Sequence, residues 1–141
     1  MILGKIVLKY DEFMSKMIKF GVKETTVVEG LRILKRGRFK ITKVFYNKEG
    51  EPVGAIISVV SRSRPGHEHF VTVGEEVVKC TCEDSVYNGN VCAHMVAALR
   101  LMWDAYKASG RNFPIEKALI GFQRIHGSNS YWEEVSEKVK V

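Results

Sequence analysis

The sequence predicts an α+β fold: a small antiparallel sheet of four or five strands, flanked by N- and C-terminal helices. Three observations predict it. Between about residues 39 and 82, apolar and polar residues alternate in short runs broken by Asn, Gly and Pro, the periodicity of half-buried strands. On either side of that stretch, apolar residues recur three and four apart, the periodicity of amphipathic helices. The last strand run is joined to the longest helical run by Cys80-Thr81-Cys82, nine further residues, and Cys92-Ala93-His94. That connection is short enough to hold the strand end against the helix start.

Taken in order, Ile2 to Tyr10 alternates weakly and reads as a strand. Asp11 is placed to cap a helix over Glu12 to Phe20, with Phe13, Met17 and Phe20 on its inner face and Gly21 at its end. Thr26-Val27-Val28-Glu29 has the form of a capping box, so a second helix is expected from Val27 to Lys35, stopped by Gly37. Lys35 to Lys43 holds five basic residues in nine, with Phe39 and Ile41 alternating against Lys40 and Thr42. This is a strand with a cationic outer face. Asn47-Lys48-Glu49-Gly50 turns the chain into a return strand from Val53 to Ser61, apolar on both faces and therefore central.

After the basic turn Arg62-Ser63-Arg64-Pro65-Gly66, a strand follows from His67 to Val73. His67 and His69 share a face and read as edge or surface residues, because no other ligand type is tied to them by spacing. Gly74-Glu75 turns into the strand Glu76 to Cys82, and Glu83 to Val91 reads as a loop with Asn88-Gly89 as its turn. The run from Cys92 to Ala108 is apolar nearly all round, so that helix must be buried on more than one side. Pro114 opens a further helix to Ile125, with Ile115, Leu119 and Phe122 inward. Ser130 to Glu133 is a second capping-box form before a last helix to Lys138, whose apolar face includes Tyr131 and Trp132.

All three cysteines fall in the strand-helix connection with one of the four histidines. Period two places Cys80 and Cys82 on one face of a strand, and Cys92 and His94 fall at the first turn of a helix. Cys and His are the usual ligands of tetrahedral Zn²⁺, and a structural site takes four, leaving no open position for catalysis. A disulfide fits less well, because Cys80 and Cys82 are too close on one strand to pair and the count is odd. Three thiolates and an imidazole are net negative, which suits the positive end of a helix dipole.

Cys-x-Cys…Cys-x-His between a strand and a helix resembles the SWIM zinc finger. Ala97 completes the longer form Cys92-x-His94-x-x-Ala97, which is similar to SWIM proteins that partner paralogues of the recombination recombinase. The motif spans 80–97, within a single domain expected over 1–141 with helical extensions at both ends. The resemblance implies Zn²⁺ on Cys80, Cys82, Cys92 and His94. It also implies nucleic-acid binding, protein interaction or both, with homologous recombination and DNA repair as the setting. SWIM fingers also occur beside transposases, so a virus- or transposon-associated regulator is a further reading.

The net charge of +6 is uneven: residues 1–48 carry 12 Lys/Arg against 4 Asp/Glu. Such asymmetry points to an acidic partner, single- or double-stranded DNA above all, with Arg36, Arg38, Lys40, Arg62 and Arg64 as candidate phosphate contacts. A solvated strand face accounts for the same residues, as does a protein-interaction module without DNA affinity whose contact face is the Tyr131/Trp132 helix. There is no Gly-rich phosphate loop and no cysteine left for nucleophilic catalysis, so no enzyme is expected. No apolar run approaches the roughly 18 residues that cross a membrane, and Met1 to Lys5 lacks the order of a signal peptide; a cytoplasmic, intracellular protein is expected.

Overall fold

The computed structural model describes residues 11–61 and 66–126. In chain order these form α1 (Glu12–Lys19), α2 (Glu24–Lys35), β1 (Phe39–Tyr46), β2 (Pro52–Val60), β3 (Glu68–Gly74), β4 (Val77–Cys80), α3 (Glu83–Asn88), α4 (Ala93–Ala108) and α5 (Ile115–His126). The four strands make one antiparallel meander in the order β1-β2-β3-β4. The fold is α+β, with the Cys/His segment between the last strand and the central helix. The strand expected over 2–10, the helix expected over 131–138 with Tyr131 and Trp132, and Arg62 and Arg64 lie outside the described residues.

Local chemistry explains α1. The Asp11 backbone is extended and its carboxylate accepts the Met14 N–H at 2.9 Å, so the expected cap is the real one. Phe13, Met14 and Met17 are buried. At its end, Gly21 stands at φ +103°, and the N–H groups of Gly21 and Val22 return to the carbonyls of Ile18 and Met17. That Schellman pair needs a left-handed residue, which glycine supplies without a Cβ clash. The same pair closes α2 through Gly37 and Arg38, bonded to Leu34 and Ile33.

The start of α2 corrects the sequence reading. The helix begins at Glu24, not Val27, and Lys23 occupies the cap position with no side-chain bond. Thr26 lies within the first turn, its N–H donating to the Lys23 carbonyl at 3.0 Å. Val22 is the reason: it is buried and tied back to α1, so the chain leaves the core already turning into a helix. A capping box one turn later has no free helix end left to cap.

Asn47 builds the β1–β2 hairpin as expected, its side-chain oxygen accepting the N–H groups of Glu49 and Glu51. β2 lies between β1 and β3, and its inner positions Ala55, Ile57 and Val59 are buried with Val71, Val73 and Val78 of the next two strands. A bulge at Thr42 shifts the β1 register between Ile41 and Lys43, and the Thr42 hydroxyl donates to the Ile56 carbonyl at 2.9 Å.

α4 packs on β2, β3 and β4 from one side and on α2 from the other. Met95 to Leu99 are consecutively buried, as the all-round apolar pattern requires. Phe13 of α1 meets Trp103 edge-on with ring centroids 5.7 Å apart. α5 seats against β4, with Ile115, Leu119 and Phe122 buried as expected. Its Gly121 faces the Glu76 carbonyl so closely that a Cβ would overlap it.

The crossing of α2 and α4 is equally tight. A Cβ on Gly30 would lie 2.5 Å from Val96 Cβ and 2.8 Å from the Ala93 carbonyl oxygen, in the first turn of α4. Gly30→Ala is therefore expected to destabilise the protein by about 1–3 kcal/mol, because overpacking outweighs the helix-propensity gain. Thermal unfolding measures this; a higher melting temperature would mean that the two helices are free to separate.

Candidate metal centre

β4 delivers the first ligand candidate. Cys80 pairs with Val71 of β3 at the last ladder position. The strand ends there, two residues earlier than expected, yet the segment stays hung on β3. The Thr81 N–H donates to the Phe70 carbonyl at 3.1 Å, and the Thr81 hydroxyl accepts the Phe70 N–H at 3.0 Å. Strand alternation thus persists for two more residues: Cys80 and Cys82 are buried and Thr81 between them is exposed. The shared face expected for the two cysteines is found, although a side chain supports it in place of a ladder.

The next segment corrects the expected loop. Glu83–Asn88 is a short helix, begun by the Cys82 carbonyl accepting the Val86 N–H at 2.9 Å. Asn88-Gly89 acts as its stop, with Gly89 at φ +67° and its N–H bonded to the Ser85 carbonyl at 3.2 Å. Ser85 is fully buried and its hydroxyl lies 3.5 Å from the Met95 sulfur. That docking onto α4 is tertiary, and so the local sequence does not announce it. Cys92 then caps α4 in extended conformation, its carbonyl accepting the Val96 N–H at 3.1 Å, and His94 stands in the first turn.

These elements bring one ligand atom from each of Cys80, Cys82, Cys92 and His94 within 4.8 Å of one another. His94 Nδ1 lies 3.7 Å from Cys80 Sγ and 3.6 Å from Cys92 Sγ. Zn–S and Zn–N bonds of about 2.3 and 2.0–2.1 Å at tetrahedral angles imply S···N edges of about 3.5–3.6 Å. The donor set therefore fits a tetrahedral ion in size as well as chemistry. The Cys82 N–H also donates to Cys80 Sγ at 3.4 Å, a contact that favours the thiolate.

Electrostatics point the same way. The Cys80 thiol is pushed up to about 12, first by its hydrogen bond to Cys82. Hydrogen bonds with Cys80 and Cys82, and burial, raise Cys92 well above its ordinary range. Cys82 is lowered because the Cys80 and Cys92 thiols both hydrogen-bond to its sulfur. Sulfur atoms at this spacing repel a second negative charge, so without metal the cluster resists full deprotonation. A divalent cation reverses that balance and deprotonates coordinated thiols.

His69 was expected at the edge or surface. It stands instead on β3 inside the sheet, half-buried, its ring centroid 4.9 Å from that of His94 at an interplanar angle of 38°. No spacing rule links residues 25 apart, so only the strand register could reveal this neighbour. Arg36, Arg38 and Lys40 are exposed at the α2–β1 junction, with Arg36 as the α2 C-cap and Lys40 opposite Ser58.

Thiols raised above their ordinary range, Cys80 and Cys92, must lose their protons when an ion enters. Zinc loading is therefore expected to release protons at neutral pH and to weaken as pH falls. Calorimetric titration in buffers of different ionisation enthalpy measures the release; zinc binding without proton release would contradict the thiol states described above.

The model of the SWIM zinc finger family matches residues 69–101, which run from β3 through β4 and α3 into α4. No curated protein and no solved structure matches the chain. Among the described residues, no helix is long and apolar enough to cross a membrane. SWIM fingers are binding modules for nucleic acid or protein. The match ends inside α4 and starts at His69, so it covers the elements that converge on the cysteines and His94, and in residues 69–101 this chain carries a SWIM zinc finger whose cofactor is Zn²⁺.

Proposed function

We propose that Cys80, Cys82, Cys92 and His94 are the four ligands of one structural Zn²⁺, and that the chain, as one domain, acts by binding and not by catalysis. The observation that carries this is the closed donor set: four protein atoms within 4.8 Å leave no coordination position for a substrate. The metal ties β4 to the buried helix α4, so its binding energy is folding energy for this half of the molecule.

The partner is nucleic acid. The basic excess of residues 1–48 supports this, as does the exposure of Arg36, Arg38 and Lys40, which would contact phosphates; Arg62 and Arg64 would extend the same charge. The Ala97-containing form of the motif supports a setting in homologous recombination and DNA repair inside the cell, with a recombinase paralogue as protein partner.

Two experiments test the reading. Cys82→Ala and His94→Ala should each abolish stoichiometric zinc and lower the melting temperature; full zinc content with an unchanged melting curve would remove the ligand assignment. Neutralising Arg36, Arg38 and Lys40 together should weaken nucleic-acid binding and flatten its salt dependence by about two units in log–log slope. An unaltered slope would place the phosphate contacts elsewhere.

A further inference from the structure

The sheet has a second face, turned away from α4. Strand register and alternation assign its side chains in rows that cross the sheet. The first row is Lys40, Ser58 and Phe70, with Thr81, one residue past β4, hydrogen-bonded beside Phe70. The second is Lys43, Ile56, Thr72 and Lys79. The third is Phe45, Gly54, Gly74 and Val77.

Three features distinguish this face. First, two phenylalanines are exposed on it, Phe45 at 38% and Phe70 at 44%. Phe45 lies beside Gly54, its ring carbon 3.5 Å from where a Cβ would stand, and Gly74 is the next residue across. Two adjacent glycines leave flat backbone next to the ring. Second, Lys40, Lys43 and Lys79 are all exposed, and no carboxylate occurs in the three rows; Glu68 lies beyond the first row, and Glu75 and Glu76 beyond the third. Third, the Thr42 bulge is what puts Lys40 and Lys43 on one face. Without it, residues three apart on a strand would point to opposite sides. The Lys43 ammonium then lies 5.2 Å from the Phe45 ring centroid, so charge and aromatic surface adjoin.

We infer that this outer face is a stacking platform for an unpaired nucleic-acid strand, with Phe45 and Phe70 against bases and Lys40, Lys43 and Lys79 against phosphates. The inference rests on the nucleic-acid reading above and adds strandedness and the contact residues. Stacking requires free base faces, which a duplex conceals, whereas a flat sheet carrying exposed rings and lysines meets them directly. The face offers few groups for reading the sugar. Of its three hydroxyls, Ser58 is buried, Thr72 is half-buried, and the Thr81 oxygen already accepts the Phe70 N–H. DNA and RNA strands should therefore bind alike.

The test is fluorescence anisotropy of the zinc-loaded full chain with labelled oligothymidylate of about 15 nucleotides, matched oligouridylate and a duplex of the same length, at several salt concentrations. The single strands should bind more tightly than the duplex and within a few-fold of each other. Phe45→Ala and Phe70→Ala should each weaken single-strand binding about tenfold while leaving the salt slope intact. Lys43→Ala and Lys79→Ala should each flatten the slope by about 0.7. Phe45→Tyr and Phe70→Tyr should retain binding, and melting curves establish that each variant is folded. A wild-type protein without nucleic-acid affinity removes both the general reading and the platform. Salt-dependent binding that the Phe→Ala variants leave undiminished removes the platform alone, as does preference for the duplex. A preference of tenfold or more for oligouridylate overturns the claim that the sugar is not read.

Discussion

Three thiols and an imidazole held within 4.8 Å cannot all adopt their charged or lone-pair forms toward one another without a cation between them. Much of the molecule is arranged around that constraint. β4 ends at it, α3 begins at it, and α4 grows out of it. The ligand candidates arrive from two directions, a strand hung on β3 by Thr81 and a helix start enclosed by the sheet and α2. A metal at that point would tie the strand end to the helix start directly.

Rigidity comes to the site from close backbone approach as much as from apolar burial. Gly30 brings α2 against the first turn of α4, and Gly121 brings α5 against the β3–β4 turn. These contacts bracket the metal segment from both sides and fix where α4 starts relative to β4. Exposed ion pairs such as Lys16–Glu116 and the Arg100 pairs with Asp11 and Asp104 add little by comparison, since solvent screens them. The sheet meanwhile separates its labours by face. The inner face is apolar and continuous with α4, whereas the outer face keeps lysines and rings in solvent.

Most elements were legible in the residue order because their causes are local. Asp11 caps α1 through its own side chain, Asn47 closes the hairpin, and the apolar density of β2 and of residues 95–106 marks them as interior. The four metal-ligand candidates were legible for the same reason: period two on a strand and one helical turn place them together with little help from the rest of the chain. The misreadings share a different cause. Thr26-x-x-Glu29 looks like a helix start, but buried Val22 begins the helix a turn earlier. Glu83–Asn88 looks like a loop, but Ser85 docks on Met95 and makes a helix of it.

What the sequence by itself determined was the α+β class, the central place of β2 and α4, and a Cys/His set with the chemistry and spacing of a zinc site. Each follows from periodicity and donor type over a few residues. Tertiary structure decided that His69 stands against His94 and that Gly30 is the contact point of two helices. It also decided that the Thr42 bulge gathers Lys40, Lys43 and Phe45 onto one open face with Phe70 and Lys79. Those juxtapositions depend on strand register and helix crossing, which join residues far apart in the chain and leave no periodic trace in either partner.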